Sequence, residues 1–302
     1  MLTQFILLIL LPIFFLVSLW RSRANSRVEW LVALLAAGSY LLFVFVTGRW
    51  DFFSYYLRFL LVPAFILSGY AAFRRISRVA SPPKTNKRIG LFINLFLLVA
   101  LSWLNISAIG GYFCPNEPIA LAHPLRDGVY YVGGGGNTRW INNHQAHNSQ
   151  KFALDILGLN KLGNRANAFE PTELEQYVIF GSIVYSPCEG EVVKAVDGLP
   201  DLIPPNRDTV NLAGNHVVIF CHNAKILIAH LRRDSVKLKV GDAVSVGEIV
   251  GNVGNSGNTM QPHLHIHAER GGTRDSILDG EGIPIIFGGR FLVRNSLFTG
   301  SD

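Results

Sequence analysis

The side chains best suited to bond-making chemistry in this sequence are its histidines. There are nine, and all fall after residue 120 of 302. The sharpest pattern is His263-Leu264-His265, in an apolar run that reads as a strand. Side chains alternate along a strand, so the two imidazoles share a face, roughly 6.5–7 Å apart. Two rings so placed fit one active site. As core residues, each ring nitrogen would need its own buried partner. His267 continues the same face, so the pattern alone does not choose among the three. A second cluster is Asn142-Asn143-His144-Gln145-Ala146-His147, followed by Asp155 between Leu154 and Ile156. Imidazole and carboxylate together suit Zn²⁺. The apolar flanks put Asp155 on or beside buried structure, where a carboxylate needs a cation or a donor. A structural ion pair or a turn cap meets the same need. The third candidate, His230, lies in Ile226-Leu-Ile-Ala-His-Leu231 and fits either a site residue or a satisfied core histidine.

The elements that must position these residues are mostly strands. Runs rich in Val and Ile, bounded by Gly, Pro, Asn and Asp, predict strands at 178–180, 183–185, 190–196, 216–221, 225–230, 248–253, 263–268, 283–287 and 291–293. Val236-Lys-Leu-Lys-Val240 alternates apolar and polar, and 172–177 predicts one short helix. The expected fold of this part is an all-β domain built on an antiparallel sheet. The connection 197–213, with Pro200, Pro204 and Pro205, is too long for a plain hairpin, and loops of that length are often functional.

The preceding part is of another kind. Four apolar runs, 5–20, 30–47, 52–73 and 89–109, each approach the roughly 20 residues needed to cross a bilayer. Residues 1–110 are therefore expected to be a membrane domain of four transmembrane helices, with 111–126 a linker and 127–302 the globular domain. Arg21, Arg23 and Arg27 follow the first run; Arg74, Arg75, Arg78, Lys84, Lys87 and Arg88 follow the third. The positive-inside rule places both basic loops in the cytoplasm and the C-terminal domain outside the cytoplasmic (inner) membrane. Arg58, inside the third run, is a functional candidate or an interfacial arginine that snorkels.

Net charge is +6, but it is divided. Residues 1–110 hold 11 Lys and Arg against two acids, and the rest hold 16 against 19. The globular part is mildly acidic, so charge gives no argument for nucleic acid. Gly133–Gly136 lacks the Lys-Ser/Thr of a P-loop, and the glycines 251, 254 and 257 run into a strand rather than a helix, so neither is a nucleotide-binding motif and both read as turns. Cys114, Cys188 and Cys221 allow at most one intrachain bridge; a Cys188–Cys221 bridge and a pair of buried thiols are both open.

Taken together, these segments resemble the lysostaphin-type (M23) zinc metalloendopeptidases, over about residues 129–287. The motifs are Phe152-Ala-Leu-Asp-Ile156, Gly181-Ser-Ile-Val-Tyr-Ser-Pro-Cys-Glu-Gly-Glu-Val192, Gly214-Asn-His-Val-Val-Ile219, Ala229-His-Leu231, Val240-Gly-Asp-Ala-Val-Ser-Val-Gly-Glu248 and Gly254-Asn-Ser-Gly-Asn-Thr-Met-Gln-Pro-His-Leu-His265. The resemblance implies one Zn²⁺ held by His144, Asp155 and His265. It implies that His263 and His230 flank the attacking water and the scissile carbonyl, with His263 favoured as general base and His230 as stabiliser. Ten residues separate His144 from Asp155, where many members have three. A longer loop has to deliver His144, which is favoured over His147.

The implied activity is hydrolysis of peptide bonds in bacterial peptidoglycan cross-links or stems, by an enzyme anchored in the lipid bilayer. Alternatives are a catalytically inactive module that binds peptidoglycan or activates another wall hydrolase, and a membrane sensor or transport accessory with membrane-protein partners.

Overall fold

The computed structural model of the chain describes residues 1–76, 85–115 and 117–300. It divides into two compact units, Met1–Ile109 and Gly110–Asp302. Arg78 and Lys84 of the second basic loop lie outside the described residues.

The first unit is helical: α1 (Leu2–Arg21), α2 (Arg27–Thr47), α3 (Leu57–Phe73) and α4 (Thr85–Gly110). Three of its segments, Leu2–Arg21, Arg27–Thr47 and Ile89–Gly110, are long and apolar enough to cross a membrane. The third expected span is shorter than its apolar run. A 3-10 turn, Trp50–Phe52, takes its start, and α3 has 17 residues, or about 25 Å. The turn is fixed from within: buried Asp51 accepts two bonds from Arg49, at 2.8 and 2.7 Å, and Trp50 Nε1 donates to the Val44 carbonyl. Arg58, in the first turn of α3, lies over the rings of Phe45, Tyr55 and Phe59 at 4.4, 4.7 and 4.9 Å. Aromatic faces thus hold the guanidinium near the start of α3.

The second unit is a β-domain. Its strands are β1 (Ile119–Leu121), β2 (Val129–Gly134), β3 (Leu154–Gly158), β4 (Ile183–Tyr185), β5 (Gly190–Val196), β6 (Asn215–Cys221), β7 (Ala224–Leu231), β8 (Ala243–Val244), β9 (Ile249–Asn252), β10 (Leu264–Arg270), β11 (Glu281–Ile283), β12 (Ile285–Phe287) and β13 (Leu297–Thr299). The main sheet is antiparallel, in the order β13-β2-β3-β10-β7-β6-β5-β8, with β11 added to β10. Two small sheets, β1-β12 and β4-β9, flank it.

The expected antiparallel β-domain is therefore present, with differences of detail. Three apolar runs find no partner strand. Val178 N–H is taken by the Arg165 carbonyl, and Phe180 closes a turn on Tyr177. The run 291–293 ends in a turn, Ser296 onto Val293. Leu238 is buried, but Val236 N–H bonds the Asp197 carboxylate instead of a strand. The short helix shrinks to one 3-10 turn, Leu174–Gln176, closed by a capping box of Glu173 and Gln176. Residues 111–126, expected as a linker, include a short strand of the second unit. Ile119 and Leu121 of β1 pair with β12 and enter the core, Leu125 is fully buried, and His123 stacks on Phe287 and Phe298. Apolar residues in a segment too short to show a period gave no sign of this pairing.

Alternation sorts the main sheet into two faces. Leu154 and Ile156 of β3, Ile226 and Ile228 of β7, and Leu264, Ile266 and Ala268 of β10 enter the main core. The other face receives Asp155, Leu227, Ala229, His265, His267 and Glu269. The register sets them side by side: His265 opposite both Asp155 and Ala229, His267 opposite Leu227, Glu269 opposite Lys225. At the far end of this face lies a buried ion pair. Lys225 Nζ, on a side chain 3% exposed, is 3.1 Å from Glu269, 2% exposed, and 2.6 Å from Asp279. Lys225→Met is expected to leave Glu269 buried without its countercharge and to cost about 3–5 kcal/mol. Denaturant unfolding of the second unit's β signal in the full chain measures it.

Of the two states open for Cys188 and Cys221, the disulfide is the one formed. It ties the turn before β5 to the end of β6 across a separation of 33 residues. By loop-closure entropy, the Cys188→Ala/Cys221→Ala double variant is expected to lose about 3–4 kcal/mol, read as a lower unfolding midpoint.

Candidate active site

Asp155 lies at the centre of the site. The register places it beside His265, and Nδ1 of that ring is 3.0 Å from Asp155 Oδ1. His144 arrives from the long loop ahead of β3, its Nε2 2.9 Å from both carboxylate oxygens. Two 3-10 turns, Asn143–Ala146 and Asn148–Gln150, carry the chain from His144 toward β3. Asn142 organises that loop from beneath. Fully buried, it donates from Nδ2 to the carbonyls of Gly136, Lys151 and Ala153, and its Oδ1 caps the N–H of His144. His147, the other candidate, is exposed and belongs to neither of the two groups of possible metal ligands among the described residues. Gly134 leaves the space the carboxylate needs, since a Cβ there would lie 3.0 Å from Asp155 Oδ2.

His263 and His230 stand beside this trio, their ring centroids 4.8 Å apart. His263 Nδ1 donates to the Gln261 carbonyl at 2.9 Å, with Thr259 Oγ1 at 3.1 Å, and its Nε2 is 3.4 Å from Asp155 Oδ1. His230 Nδ1 donates to the Ser256 carbonyl at 2.8 Å. Carbonyls can only accept, so both rings carry a proton on Nδ1, and in the neutral ring Nε2 is the free lone pair. His230 reaches this position through a left-handed backbone, φ 59°, where β7 departs from β10. All five residues singled out in the sequence are thus brought together. What the sequence did not reveal is the supporting set: Asn142, Thr259 and the carbonyls of Ser256 and Gln261. The only local signal was an asparagine two residues before His144.

The electrostatics keep the carboxylate charged and push two of the imidazoles, His230 and His265, toward their neutral form. Burial pushes the Asp155 carboxyl up, but the neighbouring His144 and His263 more than offset this and hold it well below the usual range. Burial pushes His265 down to about 4, against the Asp155 hydrogen bond. Burial, with His263 and His265 nearby, pushes His230 well below its ordinary value. His144 is raised: burial works against it, and Asp155 prevails.

Two triads have donor atoms within 4.8 Å of one another, His144/Asp155/His265 and His230/His263/His265. A tetrahedral zinc site with bonds of about 2.0–2.2 Å requires donors roughly 3.3 Å apart, which either triad satisfies with small movements. The first contains the anion that offsets a dication, and its two rings crowd the same carboxylate. The donor set at His144, Asp155 and His265 is therefore one that could hold zinc.

Residues 177–276 match the model of peptidase family M23. That segment holds His230, His263 and His265 and excludes His144 and Asp155. No curated protein matches the chain. Among solved structures, a zinc-containing peptidase from Vibrio cholerae is 19% identical over 54% of this chain and 39% of that one, with TM-score 0.31. The lysostaphin catalytic domain from Staphylococcus simulans is 20% identical over 36% of this chain and 80% of that one, with TM-score 0.24. A mutant catalytic domain of the prophage-encoded M23 protein EnpA from Enterococcus faecalis is 26% identical over 38% and 80%, with TM-score 0.21. This chain thus spans 39% of the Vibrio cholerae chain's length, and likenesses of this size carry no residue role. The chain carries a peptidase family M23 segment within an antiparallel β-domain, behind a set of apolar helices.

Proposed function

We propose that the second unit is a zinc metalloendopeptidase that hydrolyses peptide bonds of peptidoglycan cross-links or stems. The observation that carries this reading is the convergence of His144 Nε2, Asp155 and His265 Nδ1 beside two further imidazoles whose Nδ1 atoms donate to carbonyls. His144, Asp155 and His265 would hold the ion, and three protein ligands are the number that catalytic rather than structural zinc sites have. When bound, zinc supplies a Lewis acid and lowers the pKa of water to about 7. His263, the nearer ring to Asp155, takes the proton of the attacking water on Nε2 and returns it to the leaving amine. His230 Nε2 is the second free lone pair facing the site, so as a neutral ring it accepts a hydrogen bond there and orients the attacking water.

The apolar helices support a multi-pass anchor in the cytoplasmic (inner) membrane, and the basic loops support an outer, periplasmic-side peptidase domain. The disulfide is in keeping with that side, since such bonds persist in oxidising compartments. The test uses the full-length chain in detergent: metal content per chain, and release of peptides from isolated cell wall. One zinc per chain with chelator-sensitive release is expected. A chain that holds no zinc, or releases nothing when loaded, sinks the reading.

A further inference from the structure

His267 stands two residues beyond His265 on the same face of β10 and is 1% exposed. Its Nδ1 lies 3.0 Å from Nε2 of His265, and its own Nε2 has no hydrogen-bond partner. The chemistry above makes no use of it. A metal-ligating imidazole is set by what its second nitrogen does: a proton held there fixes which nitrogen offers the lone pair and which way the ring faces. Carboxylates and backbone carbonyls are the usual acceptors of that proton. At His265 the group within reach is another imidazole.

We propose that His267 is a positioning residue for His265: its Nδ1 accepts the Nε2 proton of His265 and leaves Nδ1 of His265 as the lone pair aimed at the cation site. The proposal rests on the zinc reading above. One contact between two nitrogens holds one proton, so the two rings are tied. If His265 carries its proton on Nε2, His267 must carry its own on Nε2. In the opposite pair both protons sit on Nδ1, one donated to Asp155 and one to His265. A cation at Nδ1 of His265 excludes that opposite pair. Loading the site therefore sets both rings to the Nε2–H form, and the pair neither gains nor loses a proton. The unpartnered Nε2 of His267 is where the second proton goes.

The experiment uses the full-length chain in detergent, labelled with ¹⁵N-histidine. Zinc affinity is read by competition with a chromophoric chelator for wild type, His267→Gln and His267→Leu. The leucine variant is expected to bind zinc about 10–100-fold more weakly, as when a ligating histidine loses its partner. Glutamine, whose Oε1 accepts a hydrogen bond, is expected to restore most of that loss. ¹⁵N spectra of the loaded wild type are expected to show His265 and His267 both protonated on Nε2. Wild-type affinity in a folded leucine variant, glutamine no better than leucine, or a proton on Nδ1 of His267 in the loaded protein each overturns the proposal. If the leucine variant fails to fold, the glutamine variant and the wild-type spectra still decide. A wild type that takes up no zinc sinks the zinc reading and this proposal together. A wild type that binds zinc beside an indifferent leucine variant sinks this proposal alone.

Discussion

Asp155→Asn in the full-length chain is expected to weaken zinc binding by about 10³-fold and to abolish peptide release at ordinary zinc concentrations. Structural zinc sites bind with about 10–16 kcal/mol, so one ligand in four accounts for roughly 3–4 kcal/mol, or 10²–10³-fold. Asp155 should lie at the upper end of that range. It is the one anion of the trio, and both His144 and His265 are oriented on its oxygens. The amide keeps the shape and removes the charge, so unfolding should change much less than affinity does. Chelator competition measures the affinity. An asparagine variant that retains one tightly held zinc per chain would show that the ion, if bound, sits elsewhere.

The second large effect separates chemistry from binding. His263→Ala is expected to leave zinc content unchanged and to lower the rate of peptide release by about 10²–10⁴-fold, the range for loss of a general acid–base group. Its Nε2 lies 3.4 Å from Asp155 Oδ1, and its Nδ1 is engaged by Gln261 and Thr259, so the ring is held with its basic atom inward. The same variant discriminates between the two triads that share His265. If zinc is lost along with activity, His263 is a ligand, and the three-imidazole group is the metal site. If release is unaffected, another base serves.

The difference between these residues and their supports explains how much was visible beforehand. His265 lies in a block whose spacing is fixed by strand geometry, so its side chain is placed as soon as the strand is recognised, whereas His263 sits just ahead of β10 and His230 depends on a left-handed residue in β7. His144 is placed by a loop. The choice against His147 depends on Asn142, whose three carbonyl partners at Gly136, Lys151 and Ala153 come together only in the folded loop. The strands with no clear sequence signal, 119–121, 129–134, 154–158, 243–244 and 297–299, are short or interrupted by glycine and aspartate. Their pairing depends on long-range neighbours. Conversely, Val236–Val240 alternates well but has its hydrogen bonds claimed by Asp197 and by one carbonyl of β9. In the helical unit, hydropathy located all four helices. It overran the third because Phe52 and Phe53 are apolar whether they lie in a helix or in the turn that precedes one.

The left-handed backbone of His230 sets stability and chemistry against each other. A side chain at φ 59° costs about 1 kcal/mol or more that glycine does not incur. His230→Gly therefore relaxes the backbone at the cost of the imidazole. Random drift at this codon has a folding incentive to discard the histidine, and only a working site opposes it. Among natural variants of this chain, the residue at position 230 thus serves as a marker of whether the chemistry is still under selection.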